Sequence, residues 1–215
     1  MSSVDDVPPA GRKARFSMLR SFAAADFLTL ANAACGMGAI FACLHYLDSG
    51  NSVRLWIGFA LLPVALALDF LDGAVARWRR QHSTLGADLD SLSDIVSFGV
   101  APAVIGYTVG MQGGWDTAVL VFFVACGIAR LARYNVTSDQ LMGESGKVPY
   151  YEGTPIPTSL VIVVVLAGAF YTGNVGVELW GGSVELGPWT LHPLVLVYAV
   201  SGSAMISETL RIPKP

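Results

Sequence analysis

Residues 55–94 read LWIGFALLPVALALDFLDGAVARWRRQHSTLGADLDSLSD. The stretch opens on 14 uncharged residues, Leu55–Leu68, too few to cross the roughly 30 Å apolar core of a bilayer at about 1.5 Å per residue. A span is reached only if the helix runs on through Asp69 and Asp72 as far as Arg77. Charge inside a spanning helix is costly and has to face partners or a cavity, which marks this helix as functional. A second run, Thr117–Ala129, has 13 uncharged residues and needs the same extension, to Arg133. Four other runs are long enough alone: Phe27–Leu47 and Ile95–Trp115 with 21 residues each, Pro155–Val177 with 23 and Leu186–Ser207 with 22. The expected fold class is an all-α integral membrane protein with six transmembrane helices.

Composition agrees. Of 215 residues, 53% are hydrophobic and 13% charged, against about 25% charge in soluble domains. That excludes an ordinary soluble globule and a disordered chain, and the net charge of -3 argues against a nucleic-acid partner. Cys35, Cys43 and Cys126 all lie in apolar stretches without metal-ligand spacing, as buried inert thiols do.

The basic residues orient the spans. Arg12, Lys13, Arg15 and Arg20, then Arg77, Arg79 and Arg80, then Arg130, Arg133 and Lys147, then Arg211 and Lys214 fall on one side, and Arg54 alone on the other. Positive-inside bias places both termini in the cytoplasm. Residues 1–25 show no small-residue cleavage site after an apolar core. Their mixture of bases with Phe16, Leu19 and Phe22 predicts an interfacial amphipathic helix. The expected organisation is residues 1–25 as a cytoplasmic segment, 26–210 as one six-helix membrane domain, and 211–215 as a short cytoplasmic tail. The membrane is the inner one in a bacterium and the endoplasmic reticulum in a eukaryote.

On one helix, Asp69, Asp72, Gly73, Ala76 and Arg77 share roughly 140° of the circumference. On the next helix Asp90 and Asp94 lie one turn apart, with Gly86 one turn before them, while Asp88 faces away and is left out. Seven residues between Arg80 and Asp88 suffice for a hairpin that joins the two faces. Four convergent carboxylates in apolar surroundings repel one another unless cations hold them. An all-oxygen set without His or Cys favours hard ions such as Mg²⁺, Mn²⁺ or Ca²⁺. Gly73 and Ala76 leave room for a flat ligand, and Arg77 offers a fork for phosphate, so the set has the chemistry of a diphosphate site. Asp69 lies roughly 21 Å along its helix from Leu55, within reach of both a lipid and a cytosolic reactant.

The residues match D-x2-D-G-x2-A-R-x8-G-x3-D-x3-D, and the chain thereby resembles the CDP-alcohol phosphotransferase family. The resemblance implies two divalent ions, Mg²⁺ or Mn²⁺, held by Asp69, Asp72, Asp90 and Asp94. It implies a CDP-linked lipid at Asp69, Gly73 and Ala76 with Arg77 near its phosphates, and Asp94 as the base that deprotonates the acceptor alcohol. It also implies a homodimer. The segments Leu28–Asn32, Asp90–Pro102, Ala129–Asn135 and Tyr151–Pro157 look most like the membrane-integral phosphatidylserine synthases of that family. The implied reactants are then CDP-diacylglycerol and L-serine, and the implied products phosphatidylserine and CMP.

Serine needs a cation for its carboxylate and acceptors for its ammonium. Arg130 and Arg133 share a helix face and suit the carboxylate, although positive-inside anchoring also explains them. Asn135 and Glu152 are candidate polar partners, Glu152 for the ammonium. Thr29 and Asn32 share the inner face of the first helix, where they line the nucleotide pocket or tie helices together. His45, His82 and His192 are expected in loops or at the interface, outside the site. Three alternatives stand beside this. A family member could use glycerol 3-phosphate or an inositol phosphate, which demands a denser cationic pocket. An intramembrane prenyltransferase would need more spans. A divalent-cation carrier would spread its acids toward both membrane faces.

Overall fold

The computed structural model describes residues 24–79, 84–142, 150–207 and 211–213. The chain is mostly helical. Helix α1 (Ala24–Ser49) and α2 (Ser52–Arg79) form an antiparallel hairpin. Next come α3 (Thr84–Asp94), a π-helical turn (Ile95–Val100) and α4 (Ala101–Val109), which follow without interruption as one rod. Helix α5 (Gly114–Met142) returns, and α6 (Leu160–Tyr171) and α7 (Leu196–Ile206) complete the helical set. Four segments are long and apolar enough to cross a membrane: Asp26–Ser49, Ser52–Val75, Gly86–Val109 and Gly114–Val136. Large apolar side chains point outward along them, among them Phe41, Val64, Phe70 and Val121, as a lipid-facing surface requires.

The last two helices are shorter than their uncharged runs. The run from Pro155 stays helical only over Ile156–Tyr171, and the last only over Pro193–Ile206. Helix α6 stops because the Thr172 hydroxyl turns back onto the carbonyls of Gly168 and Ala169, and Gly173 follows at φ 76°. Ahead of α7 the apolar residues make a hairpin instead, β2 (Val184–Leu186) against β3 (Trp189–Leu191). Its two-residue loop is Gly187 at φ 65° followed by Pro188, the residue order of a type II′ turn. The third span is also displaced. It begins at Gly86 rather than Ile95 and ends where Gly110 breaks α4.

The core lies where α2, the π turn, α4, α5 and α7 meet, around Leu62, Phe98, Ile105, Phe123 and Tyr198. The Tyr198 hydroxyl donates to the Pro102 carbonyl at 2.6 Å, and its ring stands edge-on to Phe123. Near the chain end, β1 (Tyr150–Glu152) pairs antiparallel with β4 (Arg211–Pro213), which sets Glu152 opposite Arg211. The expected plain tail is therefore a strand over those three residues. The expected interfacial helix of residues 1–25 lies outside the described residues, apart from its last two, which already belong to α1.

Helix α1 and the π turn touch backbone to backbone. A Cβ on Gly36 would stand 2.5 Å from Ser97 Oγ and 2.7 Å from its Cα, so only glycine fits without a shift of the rod. Gly36→Ala is expected to destabilise the protein by about 1–3 kcal/mol, read as a lower melting temperature in detergent. Gly38→Ala meets only a mobile Leu61 methyl at 3.1 Å and should lower it far less. Equal losses would show that the contact is not tight.

Candidate active site

Three helices supply the site. Helix α2 carries Asp69, Asp72 and Gly73, α3 carries Asp90 and Asp94, and α1 closes the third side with Thr29 and Asn32. One carboxylate oxygen from each of Asp69, Asp72 and Asp90 lies within 4.8 Å of the other two. Asp72 is 6% exposed and Asp94 9%, while Asp69, Gly73 and Asp90 are half-buried. Asp88 is exposed, as its excluded position predicts.

The hydrogen bonds explain how these side chains are held. Thr29 Oγ1 donates to Asp72 Oδ2 at 2.7 Å, and Asn32 Nδ2 donates to Asp94 Oδ1 at 3.4 Å. The backbones of the same two α1 residues are gripped from the rod formed by α3, the π turn and α4. Ser93 Oγ donates to the Thr29 carbonyl at 2.6 Å, and Ser97 Oγ to the Asn32 carbonyl at 2.9 Å. Thr29 and Asn32 therefore tie the helices together, as one of the two sequence readings has it, and in doing so they face the carboxylates. Ser93 and Ser97 were missed. Their spacing of four, matching Asn32 and Gly36, was the available signal. Asp26, buried in the first turn of α1, was also missed.

The π turn begins at Ile95, directly after Asp94. The N–H of Ala101 bonds to the carbonyl of Val96, five residues back, in the wider turn often found beside functional sites. The aspartates precede the turn, so their α-helical register is undisturbed.

The acceptor candidates are only partly brought together. Ser91 Oγ donates to Asn135 Oδ1 at 3.1 Å, which holds Asn135 on α5 beside the residue following Asp90. Arg130 is half-buried and Arg133 exposed on the same helix. Glu152 sits in β1, and Ala76 and Arg77 lie in α2, with side chains outside the described residues. Lys147 and His82 also lie outside them. His45 is exposed as expected. His192 lies in the connection that follows β3, as expected of a loop histidine; it is buried and bonded to Asp116, because the β2–β3 hairpin folds back onto the start of α5.

The donor set fits a divalent ion. It consists of carboxylate oxygens alone, from two helices, and Asp90 Oδ1 is buried with no hydrogen-bond partner among the described residues. A buried carboxylate oxygen without a donor is costly, and a hard cation removes that cost.

Residues 22–199 match the family model described as CDP-alcohol phosphatidyltransferase. The chain is similar to the CDP-diacylglycerol--serine O-phosphatidyltransferase of Saccharomyces cerevisiae, 42% identical over 203 residues, covering 93% of this chain and 74% of the yeast protein. It is 31% identical over 142 residues to the enzyme of the same name from Bacillus subtilis, covering 65% of this chain and 72% of that protein. The like-named Helicobacter pylori 26695 protein is 40% identical over 130 residues, with 59% and 52% covered.

If Thr29 orients Asp72 for a metal, Thr29→Val should weaken Mn²⁺ binding about 10- to 100-fold, as loss of an outer partner does at other metal sites. Paramagnetic resonance of free Mn²⁺ against purified protein reads this directly. An unchanged affinity would leave Thr29 as a helix tie alone.

Proposed function

We propose that this chain, which belongs to the CDP-alcohol phosphatidyltransferase family, is a membrane enzyme that converts CDP-diacylglycerol and L-serine to phosphatidylserine and CMP. The observation that carries the proposal is the convergence of three carboxylates from α2 and α3 in a chain 42% identical to the yeast serine enzyme over 93% of its length.

The CDP-lipid lies against Gly73 and Ala76, whose small side chains leave room for the diphosphate. Arg77, eight residues after Asp69 on the same helix, reaches its phosphates, and Thr29 and Asn32 form the wall opposite. Asp69, Asp72, Asp90 and Asp94 would hold two Mg²⁺ or Mn²⁺ ions, which neutralise charge on the diphosphate and on departing CMP. Asp94 accepts the proton of the serine hydroxyl, with Asn32 fixing one of its oxygens. The serine oxygen attacks the lipid-side phosphorus, a new P–O bond forms, and the bond to CMP breaks with its electron pair leaving on CMP. Arg130 and Arg133 take the serine carboxylate, while Asn135 and Glu152 complete that pocket. The bond from Ser91 to Asn135 supports this placement, because it ties the acceptor helix to the aspartate helix.

The same reading sets six spans in the membrane with both termini and the site facing the cytoplasm, and a homodimer as the assembly. Helices α6 and α7, with the 3-10 turns before them, reach roughly 26 and 22 Å, which supports short, thin-bilayer spans. The basic residues support the orientation.

The deciding experiment measures CMP release and headgroup-resolved lipid product with serine, glycerol 3-phosphate and inositol phosphate in turn. Phosphatidylserine is expected from serine alone; activity with a phosphorylated polyol and none with serine overturns the proposal. Asp94→Asn should lower kcat about 10²- to 10⁴-fold, the usual contribution of a general base, while CDP-diacylglycerol binding is largely kept. Full turnover in that variant would remove the role of Asp94 as base.

A further inference from the structure

At the end of the molecule away from the aspartates, the connection from α6 to α7 presents a face that the proposed reaction does not use. In the β2–β3 hairpin Val184 stands opposite Leu191 and Leu186 opposite Trp189, while Glu185 stands opposite Thr190. Side chains alternate along a strand, and directly opposed residues share a face. The hairpin is therefore amphipathic, with Val184, Leu186, Trp189 and Leu191 on one side and Glu185 and Thr190 on the other. The polar pair is joined by a hydrogen bond from Thr190 Oγ1 to Glu185 Oε1 at 3.0 Å, and both residues line a cavity against the ends of α1 and α4. The apolar side is far less covered: Val184 is 44% exposed, Leu186 47% and Trp189 49%.

Three observations say what covers it. The first is continuity with the helix surface that faces lipid. Trp115, in the first turn of α5, donates from Nε1 to the Leu186 carbonyl at 2.9 Å, and its ring stands edge-on to Trp189 with centroids 5.2 Å apart. Trp115 heads an exposed stripe of α5 that runs on through Ala118 and Phe122, the spacing of one helix face. The second is an aromatic collar at the same level. Trp56 opens α2, Trp115 opens α5 and Tyr171 ends α6; with Trp180 and Trp189 all are at least 40% exposed. Rings of this kind gather where hydrocarbon meets headgroups. Trp180 is laid back over α6, where a Cβ on Gly168 would stand 3.4 Å from its ring. The third is backbone depth. The hairpin has only two strands, so its outer edges lack strand partners and hydrocarbon would leave them unsatisfied. A headgroup layer, apolar on one side and wet on the other, meets both demands.

We propose that the β2–β3 hairpin is an interfacial anchor whose apolar side rests on the phospholipid leaflet away from the aspartates. Residues 172–195 hold Glu178 and Glu185 but no Lys or Arg, so the contact is apolar and needs no anionic lipid. The inference rests on the reading of the helices as membrane spans and is independent of which alcohol the aspartate site uses.

The test places one nitroxide at a time on the full chain in phosphatidylcholine nanodiscs, at Val184→Cys, Glu185→Cys, Leu186→Cys and, as a reference on the α5 stripe, Phe122→Cys. Cys35→Ala, Cys43→Ala and Cys126→Ala remove the natural thiols. Where that chain does not fold, the natural thiols stay and the signal of the unsubstituted protein is subtracted. Collision with oxygen, which concentrates in lipid, is compared with collision with a nickel chelate, which stays in water. The oxygen-to-nickel ratio is expected to be high at 184 and 186 and low at 185. One ratio shared by all three hairpin positions would place the hairpin in water, and scarce collision with both reagents at 184 and 186 would place it against protein, such as a second copy. Either result overturns the proposal. A high ratio at 122 in the same experiment shows that the membrane reading survives even where the anchor fails.

Discussion

Placing carboxylates of two helices around one point in apolar surroundings is the constraint on which the candidate site depends. Like charges removed from water repel strongly, and the fold does not relieve this by saturating every oxygen. The contacts on Asp72 and Asp94 come from a hydroxyl and an amide of α1. Neutral donors aim a carboxylate while leaving its charge in place. A lysine or arginine in their stead would neutralise the pair and compete with a cation for the same oxygens. Thr29 and Asn32 therefore orient these carboxylates without supplying a cation of their own.

Those two residues are themselves held through their backbones. Ser93 bonds the carbonyl of Thr29, whose side chain bonds Asp72; Ser97 bonds the carbonyl of Asn32, whose side chain bonds Asp94. A helical carbonyl has two lone pairs, so each serine bond adds to the helix rather than replacing its ladder. The geometry is possible only because Gly36 lets α1 close onto the Ser97 backbone. Position along α1 is thereby converted into position of carboxylates on two other helices. Small residues here place functional groups, beyond the ordinary part they play in packing membrane helices.

What could be read from the chain follows from how local each cause is. The spacings of Asp69 and Asp72, and of Asp90 and Asp94, act within single helices, so periodicity alone placed them on matched faces and sent Asp88 outward. Helix extension through Asp69 and Arg133 came from the distribution of charge. Helix ends did not, because an uncharged run is indifferent to whether Gly173 turns the chain or Gly187 and Pro188 close a hairpin. The π turn was equally hidden. Gly99 and Gly127 accommodate Ile95 and Ile156 there, a fit between segments about 30 and 60 residues apart in sequence. Nothing local joins Asp116 to His192, and the histidine looked isolated for that reason.

The two ends of the molecule show how one residue type can serve opposite ends. Asp116 is fully buried and takes three donors, so its oxygens have little capacity left. Asp90 is half-buried, and one of its oxygens is enclosed with no donor at all among the described residues. Burial alone would rank Asp116 as the more unusual carboxylate. Hydrogen-bond saturation reverses that order, because an acceptor already satisfied gains little from a ligand, whereas one buried and unsatisfied gains the whole cost of its desolvation. By that criterion Asp116 is architecture, and the reactive capacity of the protein lies where α2 and α3 leave their acceptors unmet.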